Sequence, residues 1–191
     1  APEIFGRPAV LKDLINLTKP GIIRLNLIAA FGGFWVASKW DIDWMLLIWT
    51  LLGTTFTIAS SCVINNYLDR DWDAKMERTR NRPLPSGRIA PAVVLAFGIA
   101  LGVLGLSILF FLVDPLCGWL GLLGMFVYIV IYTLWLKRHS TWSTSVGGIS
   151  GAMPPVIGYT AKTGAIDVGA VLLFALLFFW QPPHFWSLGI R

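Results

Sequence analysis

Apolar residues in this chain come in blocks rather than alternating with polar ones. Six blocks can be drawn, near 21–38, 44–64, 91–113, 116–136, 144–161 and 167–186. Each approaches the ~20 residues that an α-helix needs to cross a bilayer core. The pattern predicts an all-α fold, a polytopic transmembrane helix bundle with six spans. Two blocks are interrupted: "TSVGGISGAMPPVIGYTA" by Pro154 and Pro155, and "WQPPHF" by Pro182 and Pro183. Proline removes a helix donor and clashes with the preceding turn. In lipid the freed carbonyls need protein or a polar cavity around them, so both breaks are expected to face the bundle interior. Pairs such as Gly98 with Gly102 and Gly147 with Gly151, and the run Gly118, Gly121, Gly124, have the spacing of close helix contacts.

Composition agrees with a membrane protein. Of 191 residues, 56% are hydrophobic and 13% charged, where a soluble domain carries about 25% charged residues. The formal charge of +5 does not mark a nucleic-acid binder, because the bases cluster between apolar blocks and no zinc-finger or RNA-binding signature accompanies them. Cys62 and Cys117 form no CxxC pair and read as small buried hydrophobes. The start, "APEIFGRPAVLKDL", lacks the pattern of a signal peptide. With six crossings, thirteen Lys and Arg fall on one side and only Lys39 and Lys162 on the other. That asymmetry predicts both ends on the cytoplasmic or matrix side.

The densest charge sits at the mouth of an apolar helix. "NNYLDRDWDAKMERTRNRP", residues 65–83, holds four acidic and five basic groups. With Asn65 at the origin of a helical wheel, Asp69, Asp73 and Asn66 fall within an arc of about 100°, while Asp71 points elsewhere. Asp69 and Asp73 are one turn, ~6 Å, apart along the axis, and like charges at this spacing oppose each other. Two compensators are open. The following "KMERTRNR" can fold back to pair with the acids, leaving a solvated loop that also sets topology. Alternatively, the acids and the amide oxygens of Asn65 and Asn66 hold a divalent ion. Mg²⁺ takes hard oxygen ligands, commonly one or two carboxylates plus substrate phosphates, and Arg78, Arg80 and Arg82 are placed to hold outer phosphate oxygens. No GxxxxGK[ST] loop exists.

A metal–diphosphate site opening on an apolar bundle suits a substrate with a charged head and an oily tail, such as a prenyl diphosphate. Departure of diphosphate leaves an allylic cation that needs a dry pocket, and Tyr67, Tyr128 and Tyr132 are candidates to face it or else to pack and anchor the bundle. In the second polar mouth, "YTLWLKRHSTW", Lys137 and Arg138 are either phosphate contacts or topology charges, and His139 reads as interfacial. His184, in "FFWQPPHFW", is an ionisable group in an apolar segment. Either it caps a broken helix or it meets a substrate, and Gln181 shares the ambiguity.

These residues carry a resemblance. Asn65, Asn66, Asp69 and Asp73 match the N-(D/N)-x-x-D-x-x-x-D pattern of the first aspartate-rich motif of the intramembrane UbiA-type prenyltransferases. "RTRNRPL" at 78–84, "YTLWLKR" at 132–138, "GGISGAMPPVIGY" at 147–159 and "WQPPHFW" at 180–186 resemble the family's haem-farnesylating branch. The resemblance implies transfer of the farnesyl group of farnesyl diphosphate, with water, to a vinyl group of haem B, giving haem O and diphosphate. It implies Mg²⁺ on Asp69 and Asp73, assisted by Asn65 and Asn66, with all four in the catalytic centre. Arg78, Arg82, Lys137 and Arg138 become phosphate contacts, and His184 a group near haem. Haem B is then a substrate and not a redox cofactor.

The resemblance also implies a bacterial inner-membrane location rather than a mitochondrial one, with the aspartate-rich loop cytoplasmic. Membrane lipid, haem A synthase and oxidase assembly factors are the partners it suggests, and nucleic acid is not among them. Against this, UbiA-type members normally have nine spans and a second aspartate-rich motif. Residues 1–191 are therefore expected to be a UbiA-type domain without its last three spans and that motif, since Asp167 stands alone and on the opposite side. Pro182 also stands where a methionine is expected. An aromatic, quinone-precursor acceptor is the nearest alternative; an ion-coupled transporter or a non-catalytic assembly protein lies further off.

Overall fold

The computed structural model describes residues 8–136 and 143–189. Within them the fold is all-α. α1 (Pro8–Leu17) and α2 (Pro20–Ser38) meet at an elbow where Lys19 takes a left-handed backbone with φ 55°. α3 (Trp44–Asp73) is followed by turns to residue 90, then α4 (Pro91–Ile108), which ends in a wide π-helical turn, Leu109–Val113. α5 (Pro115–Phe126) also widens, over Val127–Leu136, and α6 (Ser143–Thr163) and α7 (Val168–Gly189) complete the described bundle.

Helix starts follow from local chemistry. Asp43 accepts from the Leu46 amide at 3.0 Å and Asp114 from the Leu116 amide at 2.7 Å. Asp167 accepts from the Ala170 amide at 3.2 Å. These carboxylates satisfy amides that a helix start leaves without partners. Asp167, which has no companion in a second aspartate-rich motif among these residues, thus serves as a cap, and Lys162 reaches Asp41 at 3.9 Å at the same end of the bundle as Asp43. With no proline in its 30 residues, α3 runs unbroken. At 1.5 Å per residue it is about 45 Å long, longer than a ~30 Å hydrocarbon core, so its last turns emerge at headgroup level.

Small residues bring the helices together, as their spacing predicts. Ser60 on α3 donates to the Gly98 carbonyl on α4 at 2.7 Å, and a methyl group at Gly102 would press on Ser60 Oγ at 2.7 Å. α2 and α6 touch backbone to backbone: a Cβ at Gly33 would strike the Pro155 carbonyl, and one at Gly158 the Ala30 carbonyl. One apolar core joins Phe34, Leu47, Leu109, Leu120, Met153 and Ile157; a second, beneath α1, joins Leu14, Leu17, Val63, Leu84, Ile89 and Val94.

The chain is a polytopic membrane protein, but the expectation of six spans is not met. Among the described residues, four helices are long and apolar enough to cross: Pro20–Ser38, Trp44–Asp73, Pro91–Val113 and Pro115–Trp135. The blocks near 144–161 and 167–186 do form helices, α6 and α7. α6 falls short in apolarity because it carries many Gly, Ser and Thr residues, of which Gly148, Gly158 and Thr160 are buried where the helix packs against α2, α5 and α7. In α7 the apolar stretch among the described residues is Val168–Gln181, shorter than a span. The count of bases on two sides of six crossings loses its premise with them. Pro154 and Pro155 are buried inside α6, as expected of a break facing the interior, whereas Pro183 is exposed. Interior facing thus holds for the first proline pair and fails at Pro183. Its exposure places it on the outward side of α7.

Candidate functional site

The last three turns of α3 carry Asn65, Asn66, Asp69 and Asp73 on one buried face, at 4%, 4%, 5% and 7% exposure. Asp71 lies 77% exposed on the other side. The helical period alone separates these groups, as the wheel predicts. Burying two carboxylates and two amides is costly unless each finds a partner.

Partners come from four other parts of the chain. Asn66 Nδ2 donates to the Leu17 carbonyl at 3.0 Å and to the Cys62 carbonyl at 3.0 Å. Lys19 Nζ, at the elbow between α1 and α2, donates to Asn65 Oδ1 at 3.0 Å. Asn65 Nδ2 donates to Asp69 Oδ2 at 3.1 Å and to Thr133 Oγ1 on α5 at 3.0 Å. Arg82 Nη1 lies 2.7 Å from Asp73 Oδ2 and 3.5 Å from Asn66 Oδ1, while Thr79 Oγ1 donates to the Asp73 carbonyl at 2.9 Å. The segment after α3 therefore folds back onto Asp73, one of the two compensators open from the sequence.

Not every expected residue joins this cluster. Arg82 does, but Arg78 and Arg80 are exposed. Lys137, Arg138 and His139 lie outside the described residues, as does the side chain of His184. Lys19, Leu17 and Thr133 belong to the cluster and were not singled out as site residues by sequence. Only the Lys-Pro step before α2 hints at Lys19, and nothing local links it to Asn65, 46 residues away.

Below the cluster opens a cavity of about 770 Å³. It lies against the same face of α3, at Thr54, Ile58 and Cys62, and is closed by α5 and α6 through residues such as Gly121, Gly124 and Met153. Tyr128 and Tyr132 line it as a stacked pair, centroids 5.5 Å apart. Gln181 and Trp180 line it from α7. Tyr67 is elsewhere: Arg70 covers its ring at 4.4 Å, and it packs on the core beneath α1. Both cysteines are free and buried, with Cys62 at the cavity wall.

Among the described residues no three His, Cys, Asp or Glu side chains converge as a metal-holding group. What the cluster does offer is two buried carboxylates and two amide oxygens on one face, with Lys19 drawn to Asn65 and Arg82 to Asn66 and Asp73. This hard-oxygen donor set fits Mg²⁺ completed by phosphate and water.

Known proteins match this chain over most of its length. Protoheme IX farnesyltransferases of Escherichia coli O1:K1 / APEC and of Klebsiella pneumoniae subsp. pneumoniae are each 50% identical over 181 residues, 95% of this chain. The chain spans 61% of their length. A solved structure from work on "the biosynthesis of Digeranylgeranylglyceryl phosphate synthase in membranes" superposes with a TM-score of 0.78 at 22% identity. That similarity covers 88% of this chain and 58% of the other, and it establishes a shared fold. The model of the UbiA prenyltransferase family spans residues 26–191, and this chain belongs to that family.

Proposed function

We propose that the chain is the core of a prenyltransferase that joins farnesyl diphosphate to haem B. The observation that carries this reading is the buried Asn65, Asn66, Asp69 and Asp73 face at the mouth of an apolar cavity of about 770 Å³. The 50% identity to protoheme IX farnesyltransferases supports the choice of haem as acceptor.

In this reading the head of farnesyl diphosphate lies against α3 and its tail enters the cavity. Asp69 and Asp73, with the amide oxygens of Asn65 and Asn66, would hold Mg²⁺; when bound it would neutralise charge on the departing diphosphate. Arg82 exchanges part of its bond to Asp73 for phosphate oxygens, which its planar fork suits. Lys19 lies at the same mouth to do likewise. Rupture of the C1–O bond sends its electron pair to diphosphate. The allylic carbon then joins the terminal vinyl carbon of haem B, and water captures the adjacent carbon, losing a proton, to give the hydroxyethylfarnesyl group of haem O. The stacked Tyr128 and Tyr132 present aromatic faces to developing positive charge, while the apolar walls exclude excess water.

Arg78, Lys137 and Arg138 are proposed as outer phosphate contacts and His184 as a group near haem. The bases of the charged mouth favour its placement on the cytoplasmic side of a bacterial inner membrane. Haem A synthase or oxidase assembly factors are proposed partners.

The experiment is farnesyl transfer to haem B in lipid, with and without Mg²⁺, beside an Asp69→Asn variant. Haem O formed only with Mg²⁺ and intact Asp69 supports the reading. Transfer to a phenolic acceptor with none to haem replaces haem by an aromatic acceptor, and Mg²⁺-independent ion flux without any transfer rejects prenyl transfer altogether.

A further inference from the structure

We propose that Thr133 is a positioning residue that turns the side-chain oxygen of Asn65 toward the bound metal–diphosphate. The inference rests on the reading of the site given above. Thr133 is fully buried and lies on the wide-turn part of α5, Val127–Leu136. Its hydroxyl donates to the carbonyl of Tyr128, five residues earlier, at 2.8 Å. A threonine hydroxyl has one hydrogen, so toward Asn65 it acts only as an acceptor.

That fixes the amide. Asn65 Nδ2 spends its two hydrogens on Thr133 Oγ1 at 3.0 Å and Asp69 Oδ2 at 3.1 Å. Oδ1 therefore faces the opposite way, where Lys19 Nζ donates to it at 3.0 Å. Reversing the amide would set its NH₂ against the Lys19 ammonium and its oxygen against the lone pairs of Thr133 and Asp69. The contacts with Lys19 and Asp69 would become repulsive, and Thr133 could meet the reversed oxygen only by giving up its bond to the Tyr128 carbonyl. A cation already stands where Asn65 presents its oxygen, which is the side on which a metal ligand is useful.

The wide turn is part of the device. In an ordinary α-helix a threonine hydroxyl reaches back three or four residues. Here the fifth residue back accepts instead, which leaves the Thr133 lone pair aimed across at α3. Wide turns inside helices recur at functional sites, and this ten-residue stretch connects the cavity-lining Tyr128 to the amide on α3.

The test compares Thr133→Val, which keeps the shape and loses the acceptor, with Thr133→Ser, which keeps the acceptor. Mn²⁺ binding in the presence of an unreactive farnesyl diphosphate analogue is read by electron paramagnetic resonance on the purified protein in lipid. Thr133→Val is expected to weaken Mn²⁺ binding about tenfold and to raise the Mg²⁺ concentration for half-maximal transfer by a similar factor. Thr133→Ser should return to within about threefold of the parent. In an Asn65→Ala background Thr133→Val should add nothing, because no amide is left to orient. Should the valine variant not fold, Thr133→Ala takes its place in the same comparisons. Equal Mn²⁺ binding by parent and valine variant, or the full loss persisting in the Asn65→Ala background, overturns the positioning role. A parent that binds no Mn²⁺ with the analogue overturns the metal reading beneath it.

Discussion

Arg82 reaches back over nine residues to place Nη1 2.7 Å from Asp73 Oδ2, with 35% of the arginine side chain exposed and 10% of the aspartate. A buried carboxylate at the end of a membrane helix is thereby given a partner, while that cation keeps one edge in solvent. The pair is the hinge between the static fold and the proposed chemistry, since a guanidinium so placed can turn from carboxylate to phosphate.

Replacing Arg82 by Ala should strand Asp73. The cost to stability is expected to be about 1–2 kcal/mol, discounted for the exposed edge of the arginine. The kcat/KM for the diphosphate substrate should fall by about 10–100-fold. Arg82→Lys should fall in between, because an ammonium cannot form the planar fork. Steady-state kinetics with varied farnesyl diphosphate, beside a thermal melt, separates the two effects.

Lys19 should behave as a site residue rather than as a topology charge. Lys19→Met removes the donor at 3.0 Å from Asn65 Oδ1 while keeping an unbranched chain. The KM for farnesyl diphosphate is expected to rise by about tenfold with protein yield and membrane insertion unchanged. An unaltered KM would return Lys19 to the role of an interfacial charge.

Neighbouring glycines in α2 should differ sharply. A Cβ at Gly32 meets nothing, whereas one at Gly33 collides with the backbone of Pro155. Gly33→Ala is expected to lower stability by about 1–3 kcal/mol, as overpacking does, and Gly32→Ala to be neutral. Thermal unfolding in detergent followed by size-exclusion checks this.

Acid should uncouple α7. The Asp167 carboxyl is held below its ordinary value of 3.8, chiefly by the Ala170 amide and further by the Tyr159 hydroxyl. A lowered folded-state value stabilises the fold at and above the ordinary carboxylate range, and that stabilisation is lost as pH falls through the folded-state value. Asp167→Ala should therefore melt earlier than the parent at neutral pH, and the gap should close as pH drops below 3.8. Melts across that range test the sign.

Much of this was legible along the chain. The blocks of apolar residues locate every helix from α2 to α7, and α1 was missed because a ten-residue amphipathic segment is no span. Prolines 154 and 155 read correctly as interior. The number of crossings did not read correctly, because block length carries no information on what a helix will face. α6 is shielded by α2, α5 and α7 and so tolerates Gly, Ser and Thr that lipid would penalise.

The sequence by itself determined the membrane class and the helical arc shared by Asn65, Asn66, Asp69 and Asp73, because one turn every 3.6 residues follows from local backbone geometry. Only the tertiary structure decided that Leu17, Lys19, Arg82 and Thr133 close around that arc, that Tyr128 and Tyr132 line the cavity while Tyr67 does not, and that Arg82 rather than Arg78 meets Asp73. Periodicity sets the angle at which a side chain leaves its own helix. What it meets there depends on the packing of other helices, up to 68 residues away, and that is set by shape and burial across the whole bundle.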